Sequence, residues 1–178
     1  MTSLLKQVGP QDHVAGSRDA PVSLVEYGDY ECPYCGKAYW EVKRVQEVLG
    51  ERLCFVFRNF PLTQLHPHAL EASEAAEAAA MQGRFWQMHN LLFENQQALD
   101  EESLLAYADE VGLDLDQFAL DLQEHRFLQR IERDLKEGTR SGVHGTPTFF
   151  LNGVRYEGDY RADVMLDVIQ GGAAAHGF

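Results

Sequence analysis

The sequence is poor in cysteine, in basic residues and in long apolar runs, and each shortage excludes a class of protein. Three cysteines among 178 residues are too few for a small secreted domain stapled by disulfides, and the number is odd. The 15 lysines and arginines are outnumbered by 28 acidic residues, and the net charge of −13 argues against nucleic acid and anionic lipid as partners. No run approaches the roughly 18 apolar residues of a membrane span, so we expect no membrane insertion.

The N-terminus also lacks the apolar stretch of a secretion signal. Polar residues such as Gln11, Asp12 and Arg18 interrupt the region where a signal peptide would carry an unbroken apolar core. We therefore expect a cytoplasmic protein, although an exported protein trimmed of its signal would have the same sequence. Residues 1–20 are expected to form a loose arm with a short edge strand, and residues 171–178 a flexible tail.

The apolar pattern that is present predicts the order β-α-β, helices, β-β-α. Short apolar runs bounded by proline or glycine are typical of strands, and the segment between the first two runs has the three- and four-residue spacing of a helix. An Asn-Gly pair between the last two strands predicts a tight hairpin with positive φ angles. The predicted elements are strands at 22–27, 53–60, 148–151 and 154–156, a helix between Pro33 and Gly50, a helical stretch over 65–142 and a closing helix at 163–169.

We interpret this order as a single α/β domain over residues 1–178, because no linker divides the chain. The core would comprise residues 20–64 and 143–171, with a helical insertion at 65–142. The first two strands should be parallel, because a right-handed helical crossover joins them. The second strand is apolar nearly throughout, so it should lie inside the sheet and be buried on both faces.

Two cysteines, Cys32 and Cys35, stand at the start of the first predicted helix, and this position favours a reactive thiol. Unpaired N–H groups at a helix start stabilise an anion by ~0.3–1 kcal/mol, which lowers the pKa of a thiol there. The apolar stripe of the helix begins at Cys35, so Cys35 should be buried while Cys32 lies exposed at the tip. An exposed attacking thiol beside a buried resolving thiol is what disulfide exchange needs.

Other interpretations of the pair remain open at this point. A zinc site needs two further ligands, usually a second close pair, and Cys54 lies far along the chain. His66 and His68 flank a proline at a predicted helix start, which is a weak indication of a metal site. A purely structural pair is the remaining possibility. Cys54 itself, on a predicted core strand, is expected to behave as a small buried hydrophobe.

Six segments taken together resemble the DsbA-like branch of the thioredoxin-fold superfamily. They cover nearly everything from residue 20 to residue 170 and are Glu26-Tyr27, Cys32-Pro33-Tyr34-Cys35, Phe57-Arg58-Asn59-Phe60-Pro61-Leu62, the Ala-rich helix after His66-Pro67, Phe85-Trp86-Gln87-Met88-His89 and Gly145-Thr146-Pro147-Thr148-Phe149-Phe150. The resemblance implies a thioredoxin-like fold, in which helices flank a central mixed β-sheet and an all-helical insertion separates its two halves. It also implies protein disulfide oxidoreductase activity that requires neither a cofactor nor a metal.

The resemblance further implies roles for individual residues. Glu26 matches a buried acid that passes protons to and from the resolving thiol. Pro147 would be cis and face the cysteine pair, with Thr146 offering its backbone to an extended substrate segment. Pro33 and Tyr34, which lie between the cysteines, would also contact the substrate.

Two positions depart from the pattern of the family. Many members carry a base opposite the buried acid, but Phe55 aligns with that base here, and Arg58 lies further along. Strong oxidants of the family often have histidine between the cysteines, whereas this chain has Tyr34, so one reason to expect a strong oxidant is absent. His144, close to the Thr-Pro pair, is a candidate for tuning Cys32.

We therefore interpret the chain as a thiol–disulfide oxidoreductase in which Cys32 is the nucleophile and Cys35 the resolving thiol. Its partners would be thiols and disulfides of proteins or peptides, together with a recycling redox partner such as thioredoxin, glutathione or a membrane oxidase. The alternative is a non-catalytic metal-binding or redox-sensing adaptor that uses Cys32 and Cys35 as ligands. The net direction of exchange is left open by the sequence.

Overall fold

The structure is a computed structural model that describes residues 2–174. The strands are β1 (His13–Gly16), β2 (Val22–Gly28), β3 (Leu53–Asn59), β4 (Thr148–Leu151) and β5 (Val154–Tyr156). The helices are α1 (Pro33–Leu49), α2 (Ala69–Met81), α3 (Phe85–Glu94), α4 (Glu101–Glu110), α5 (Leu115–Gln123), α6 (Leu128–Arg140) and α7 (Ala162–Ala174). None of the helices described is long and apolar enough to span a bilayer.

The five strands form one mixed sheet in the order β1-β3-β2-β4-β5. Strands β2 and β3 are parallel, as the crossover predicted, and the other neighbouring pairs are antiparallel. All seven residues of β3 are buried, which confirms its predicted interior position. The hairpin between β4 and β5 has φ angles of 49° at Asn152 and 79° at Gly153, so the predicted positive-φ turn is also confirmed. This is the thioredoxin-like fold expected from the sequence.

The two faces of the sheet pack against different elements, because side chains alternate along each strand. Leu24, Phe55 and Phe57 belong to the larger apolar cluster, which includes the buried face of α1 and most of the helical insertion. Val25 and Cys54 belong to a second cluster on the opposite face. Cys54 is therefore a buried core residue, as expected, and the sheet separates it from the reactive pair.

The N-terminal segment covers part of this second face, so the prediction of a loose arm is wrong. Leu4 is 3% exposed, and its N–H donates to the Gly153 carbonyl at 2.8 Å, while the Arg155 N–H donates to the Thr2 carbonyl at 2.9 Å. The chain then crosses to the other edge, where β1 pairs with β3 and confirms the predicted edge strand. These partners lie far away in the sequence, and local periodicity does not report them.

Five helices, α2 to α6, follow β3 and precede β4, as the helical pattern indicated. Two of them begin with aspartate caps, since Asp100 accepts the Ser103 N–H and Asp114 accepts the Gln117 N–H. Helix α7 continues to Ala174, beyond the predicted end, and passes through Gly171 despite the low helix propensity of glycine. The prediction of a flexible tail is therefore wrong for residues 171–174, and the rest of that tail lies outside the described residues.

Candidate active site

The two cysteines lie where β2, a short turn and α1 meet. Both are free thiols, and Cys32 is the N-cap residue of α1, with Pro33 in the first turn, where its missing N–H costs nothing. Cys35 is fully buried, as the helix stripe predicted. Cys32 is only 3% exposed, however, so the prediction of an exposed attacking thiol is wrong.

The groups that enclose Cys32 come from distant parts of the chain. Gln96, in the loop after α3, donates from its side-chain amide to the carbonyls of Tyr30 and Cys32 at 2.8 Å each. Gly36 permits this approach, because a Cβ there would collide with the amide of Gln96. On the other side, Cys32 Sγ lies 3.5 Å from the carbonyl oxygen of Thr146.

The surroundings of the two thiols drive their pKa values apart. A hydrogen bond from the Cys35 thiol lowers the pKa of Cys32 most, and the N–H groups of Cys35 and Tyr34 lower it further. Burial opposes these effects, and the pKa of Cys32 is about 5. Burial raises the pKa of Cys35 well above its usual value. At neutral pH the pair therefore consists of one thiolate and one thiol.

Glu26 lies on β2 under the cysteine pair, 2% exposed. In the sheet, Glu26 pairs with Phe57 on β3 and with Phe149 on β4. The β3 residue opposite Glu26 is therefore Phe57, so the alignment of Phe55 with the expected base is wrong. Arg58 points to the other face of the sheet, where it binds Asp12. Burial, and then the charge of Cys32, raise the pKa of Glu26 to about 8.

A small cavity with both polar and apolar walls separates Glu26 from the surface between α1 and α3. Its volume is about 130 Å³, and its polar wall comprises Glu26, Lys43, Gln46, His89 and Asn90. Glu26 Oε1 has no hydrogen-bond partner among residues 2–174. Because a water molecule occupies ~30 Å³ of liquid, the cavity has room for the water that a buried carboxyl would need to exchange protons.

The remaining residues expected to bind substrate either follow Cys32 in the chain, as Pro33 and Tyr34 do, or belong to the Thr146–Pro147 segment beside its sulfur. The Thr146–Pro147 peptide bond is cis. Tyr34 is 62% exposed, and Lys37 Nζ lies 5.7 Å from the centre of its ring. Two open grooves lie nearby, one along the exposed face of α1 and one beside Pro147. Tyr160 lines both of them.

A carboxylate–imidazole pair lies beside the cysteines, and the sequence did not indicate it. Asp29 is fully buried in the turn before α1, and its Oδ2 lies 2.8 Å from Nδ1 of His66. The sequence signal was an aspartate shortly before the first cysteine, but nothing local indicates its distant partner. His144 is exposed, and no described hydrogen bond links it to Cys32. Within residues 2–174, no group of three or more histidine, cysteine or acidic side chains could hold a metal ion.

Comparison with known proteins identifies the family. The family model described as Thioredoxin matches residues 9–171. The chain is 47% identical over 165 residues to the Na(+)/H(+) antiporter NhaA 1 of Salinispora arenicola and 40% identical over 172 residues to NhaA 1 of Mycolicibacterium vanbaalenii. These matches cover 91% and 95% of this chain but only 25% and 28% of those proteins, so the chain spans about a quarter of the length of the curated relatives it matches.

Solved structures share the fold over almost their whole length. A thioredoxin-like oxidoreductase from Silicibacter pomeroyi DSS-3 is 28% identical, with a TM-score of 0.81 over 93% of this chain and 94% of that chain. BdbD from Bacillus subtilis is 24% identical, with a TM-score of 0.79 over 89% and 90% of the two chains. The thiol-disulfide exchange protein α-DsbA2 from Wolbachia pipientis is 20% identical, with a TM-score of 0.78 over 91% and 87%. The chain therefore belongs to the thioredoxin family.

Proposed function

We propose that the Cys32–Cys35 pair exchanges disulfides with proteins or peptides. The observation that carries this proposal is the difference between the two thiols, because Cys32 has a pKa of about 5 while burial keeps Cys35 protonated. The thiolate is the nucleophile in disulfide exchange. A pair in which both thiols served only for packing would have no need of this difference.

In the reducing direction, the Cys32 thiolate attacks a sulfur of the substrate disulfide, and the other substrate sulfur leaves as a thiolate. Cys35 then loses its proton and attacks Cys32 Sγ, which releases the second substrate thiolate and leaves the pair oxidised. The substrate gains the two electrons that the pair loses. The reverse sequence oxidises a substrate dithiol.

Glu26 is the proposed proton acceptor for Cys35. The Cys32 thiolate helps to keep the pKa of Glu26 at about 8, so the carboxyl is protonated while the pair is reduced. In the mixed disulfide Cys32 carries no charge, and the pKa of Glu26 falls. The carboxylate that forms is then able to take the proton of Cys35 at the moment when Cys35 must attack.

The substrate is proposed to bind as an extended segment above Cys32, against Thr146, Pro147, Pro33 and Tyr34. The support is their position around the thiolate, with the Thr146 carbonyl 3.5 Å from Cys32 Sγ. A recycling partner, such as thioredoxin, glutathione or a membrane oxidase, would bind to the same residues. A stabilised thiolate favours the dithiol form and makes the pair more oxidising. The direction of exchange therefore depends on the reduction potential of the pair relative to that of its compartment. We expect that compartment to be the cytoplasm.

Equilibration with mixtures of reduced and oxidised glutathione, followed by alkylation of free thiols, tests the proposal. We expect one reversible disulfide that involves Cys32 and Cys35, and catalytic turnover of a protein disulfide such as that of insulin. The measured potential decides the direction. A protein that forms no such disulfide, or that is purified under reducing conditions with stoichiometric metal on the two cysteines, would support the adaptor alternative.

Glu26→Gln should slow the resolving step by about tenfold to a hundredfold, because glutamine cannot accept the proton of Cys35. The measurement is the rate at which a preformed mixed disulfide on Cys32 releases its substrate, followed across the pH range. Glu47→Gln, on the exposed face of α1, is the matched control and should leave the rate unchanged. Equal release rates in all three proteins would contradict the proton role.

The same variant gives a second readout in folding stability. The folded-state pKa of Glu26 is about 8 against 4.5 in the unfolded chain, so the folded protein holds the proton more tightly. The contribution of protonated Glu26 to folding stability is present below its unfolded-state pKa and is lost as the pH rises through its folded-state pKa. Glu26→Gln should lose this part of the pH dependence.

A further inference from the structure

One buried carboxylate ties the loop between β3 and α2 to the turn that precedes α1. Asp29 Oδ2 accepts the Leu62 N–H at 2.8 Å and lies 2.8 Å from His66 Nδ1, while Oδ1 accepts the Glu31 N–H at 2.8 Å. The carboxylate is fully buried, and His66 is the only ionisable side chain that pairs with it among the residues described. A buried carboxylate with a single ionisable partner favours the charged form of that partner.

The same aspartate contacts both cysteines through its backbone. Its carbonyl accepts the Cys32 N–H at 3.1 Å, and its N–H donates to Cys35 Sγ at 3.5 Å. The imidazole of His66, whose side chain is 19% exposed, is therefore held against the turn that carries the reactive pair. A charge in such a partly buried position acts on its neighbours more strongly than a charge in open water.

We propose that the protonated imidazole of His66, held in position by Asp29, stabilises the Cys32 thiolate in the reduced protein. The charge of His66 is thereby linked to the redox state of the cysteine pair. The proposal rests on the proposed disulfide exchange and deepens it. It assigns to a distant loop the positive charge that Tyr34, between the cysteines, does not supply.

The charges around the ring support this coupling. Burial lowers the pKa of His66, but the hydrogen bond and the charge of Asp29 outweigh it, and the charges of Cys32 and Glu31 raise the pKa further, so it lies above its usual value. His68, the other titratable group on the same loop, is exposed. Oxidation of the pair removes the charge of Cys32 and must lower the pKa of His66. By reciprocity, protonated His66 stabilises the reduced form.

The proton balance of the reaction follows from this linkage. A substrate dithiol that reduces the disulfide delivers two electrons and gives up two thiol protons. One proton ends on Cys35, and the second is released, because Cys32 remains a thiolate. His66 takes up a fraction of that second proton wherever the pH lies between its pKa values in the oxidised and reduced forms.

Nuclear magnetic resonance titration of the histidine rings in the full chain, in the disulfide and the dithiol form, tests the coupling directly. We expect the pKa of His66 to be higher in the dithiol form, and His125, which binds Glu74 in the helical insertion, to titrate alike in both. In Cys32→Ser under reducing conditions, His66 should have the lower pKa that is expected for the disulfide form, because no thiolate is present at position 32. Equal values for His66 in the two forms would overturn this proposal alone, whereas the absence of a Cys32–Cys35 disulfide would overturn the proposed function as well.

His66→Gln removes the charge and keeps an amide that is able to donate a hydrogen bond. With the cation gone, the thiolate absorbance of Cys32 should titrate at higher pH, and the thiolate fraction below the midpoint should fall about threefold. The reduction potential should become less oxidising, and His66→Lys should restore both values in part. His125→Gln is the matched control. A folded His66→Gln protein with the wild-type thiolate titration and potential would overturn the proposal.

Discussion

Cys32→Ser should abolish disulfide exchange, with the rate falling about a thousandfold or more, because a serine hydroxyl is not ionised at neutral pH and cannot replace the thiolate. The loss should be the same at every pH, since no other thiol in the described structure lies in position to attack. Reduction of insulin with a saturating thiol reductant is a suitable assay. Cys54→Ser, on the opposite face of the sheet, is the matched control and should leave the chemical step unchanged. Turnover by Cys32→Ser at the wild-type rate would disprove the mechanism.

The companion variant, Cys35→Ser, distinguishes the two thiols by their products. Cys32 is still a thiolate in this protein and attacks, although its pKa should rise because the Cys35 thiol supplies its strongest stabilising hydrogen bond. The mixed disulfide then has no internal resolving thiol and should accumulate. Mass spectrometry of the unreduced protein would detect the adduct on Cys32. An adduct on Cys54 instead, or none, would contradict the assigned order of attack.

Asp12→Ala should destabilise the fold by about 3–5 kcal/mol, because it leaves a buried cation without its partner. Arg58 is 1% exposed, and its guanidinium binds both carboxylate oxygens of Asp12, at 2.9 and 3.0 Å, as well as Tyr27 Oη at 3.0 Å and the Lys6 carbonyl at 3.0 Å. Urea denaturation measures the loss. Arg44→Ala, which removes an exposed ion pair on α1, is the matched control and should change the stability by at most about 0.5 kcal/mol.

The same ion pair predicts how acid affects the protein. Burial opposes ionisation of Asp12, but hydrogen bonding and the charge of Arg58 outweigh it, so the pKa of Asp12 lies below its ordinary value of 3.8. Its contribution to stability is present above that ordinary value and is lost as the pH falls through the folded-state value. Asp12→Ala should lack this part of the acid transition. A wild-type acid transition in the variant would show that the carboxylate contributes nothing.

The low pKa of Cys32 changes the meaning of Tyr34. From the sequence, the absence of histidine between the cysteines removed one reason to expect a strong oxidant. The structure supplies other stabilising groups, namely the Cys35 thiol and two backbone N–H groups. The Cys32 thiolate therefore does not depend on a residue between the cysteines alone, and the side chain of Tyr34 is 62% exposed.

Local patterns were sufficient for the order of the elements and for the burial of Cys35. The three- and four-residue spacing that begins at Cys35 determines which side of α1 faces the sheet, because helix geometry relates residues within a few turns. The Asn152-Gly153 pair likewise specified its turn through its own backbone preferences. The register of β3 against β2 was not available in this way, and the alignment of Phe55 with the expected base failed for that reason.

The sequence by itself determined a reactive cysteine pair at a helix start, a β-α-β unit and a helical insertion before a hairpin. The tertiary structure alone decided that Cys32 is enclosed, that the N-terminal segment crosses the second face, and that Asp29 holds His66. The physical reason is separation along the chain: Cys32 and Thr146 lie 114 positions apart, and Asp29 and His66 lie 37 apart. Periodicity records which residues share a face of one element, whereas these contacts form only when the sheet brings distant loops together.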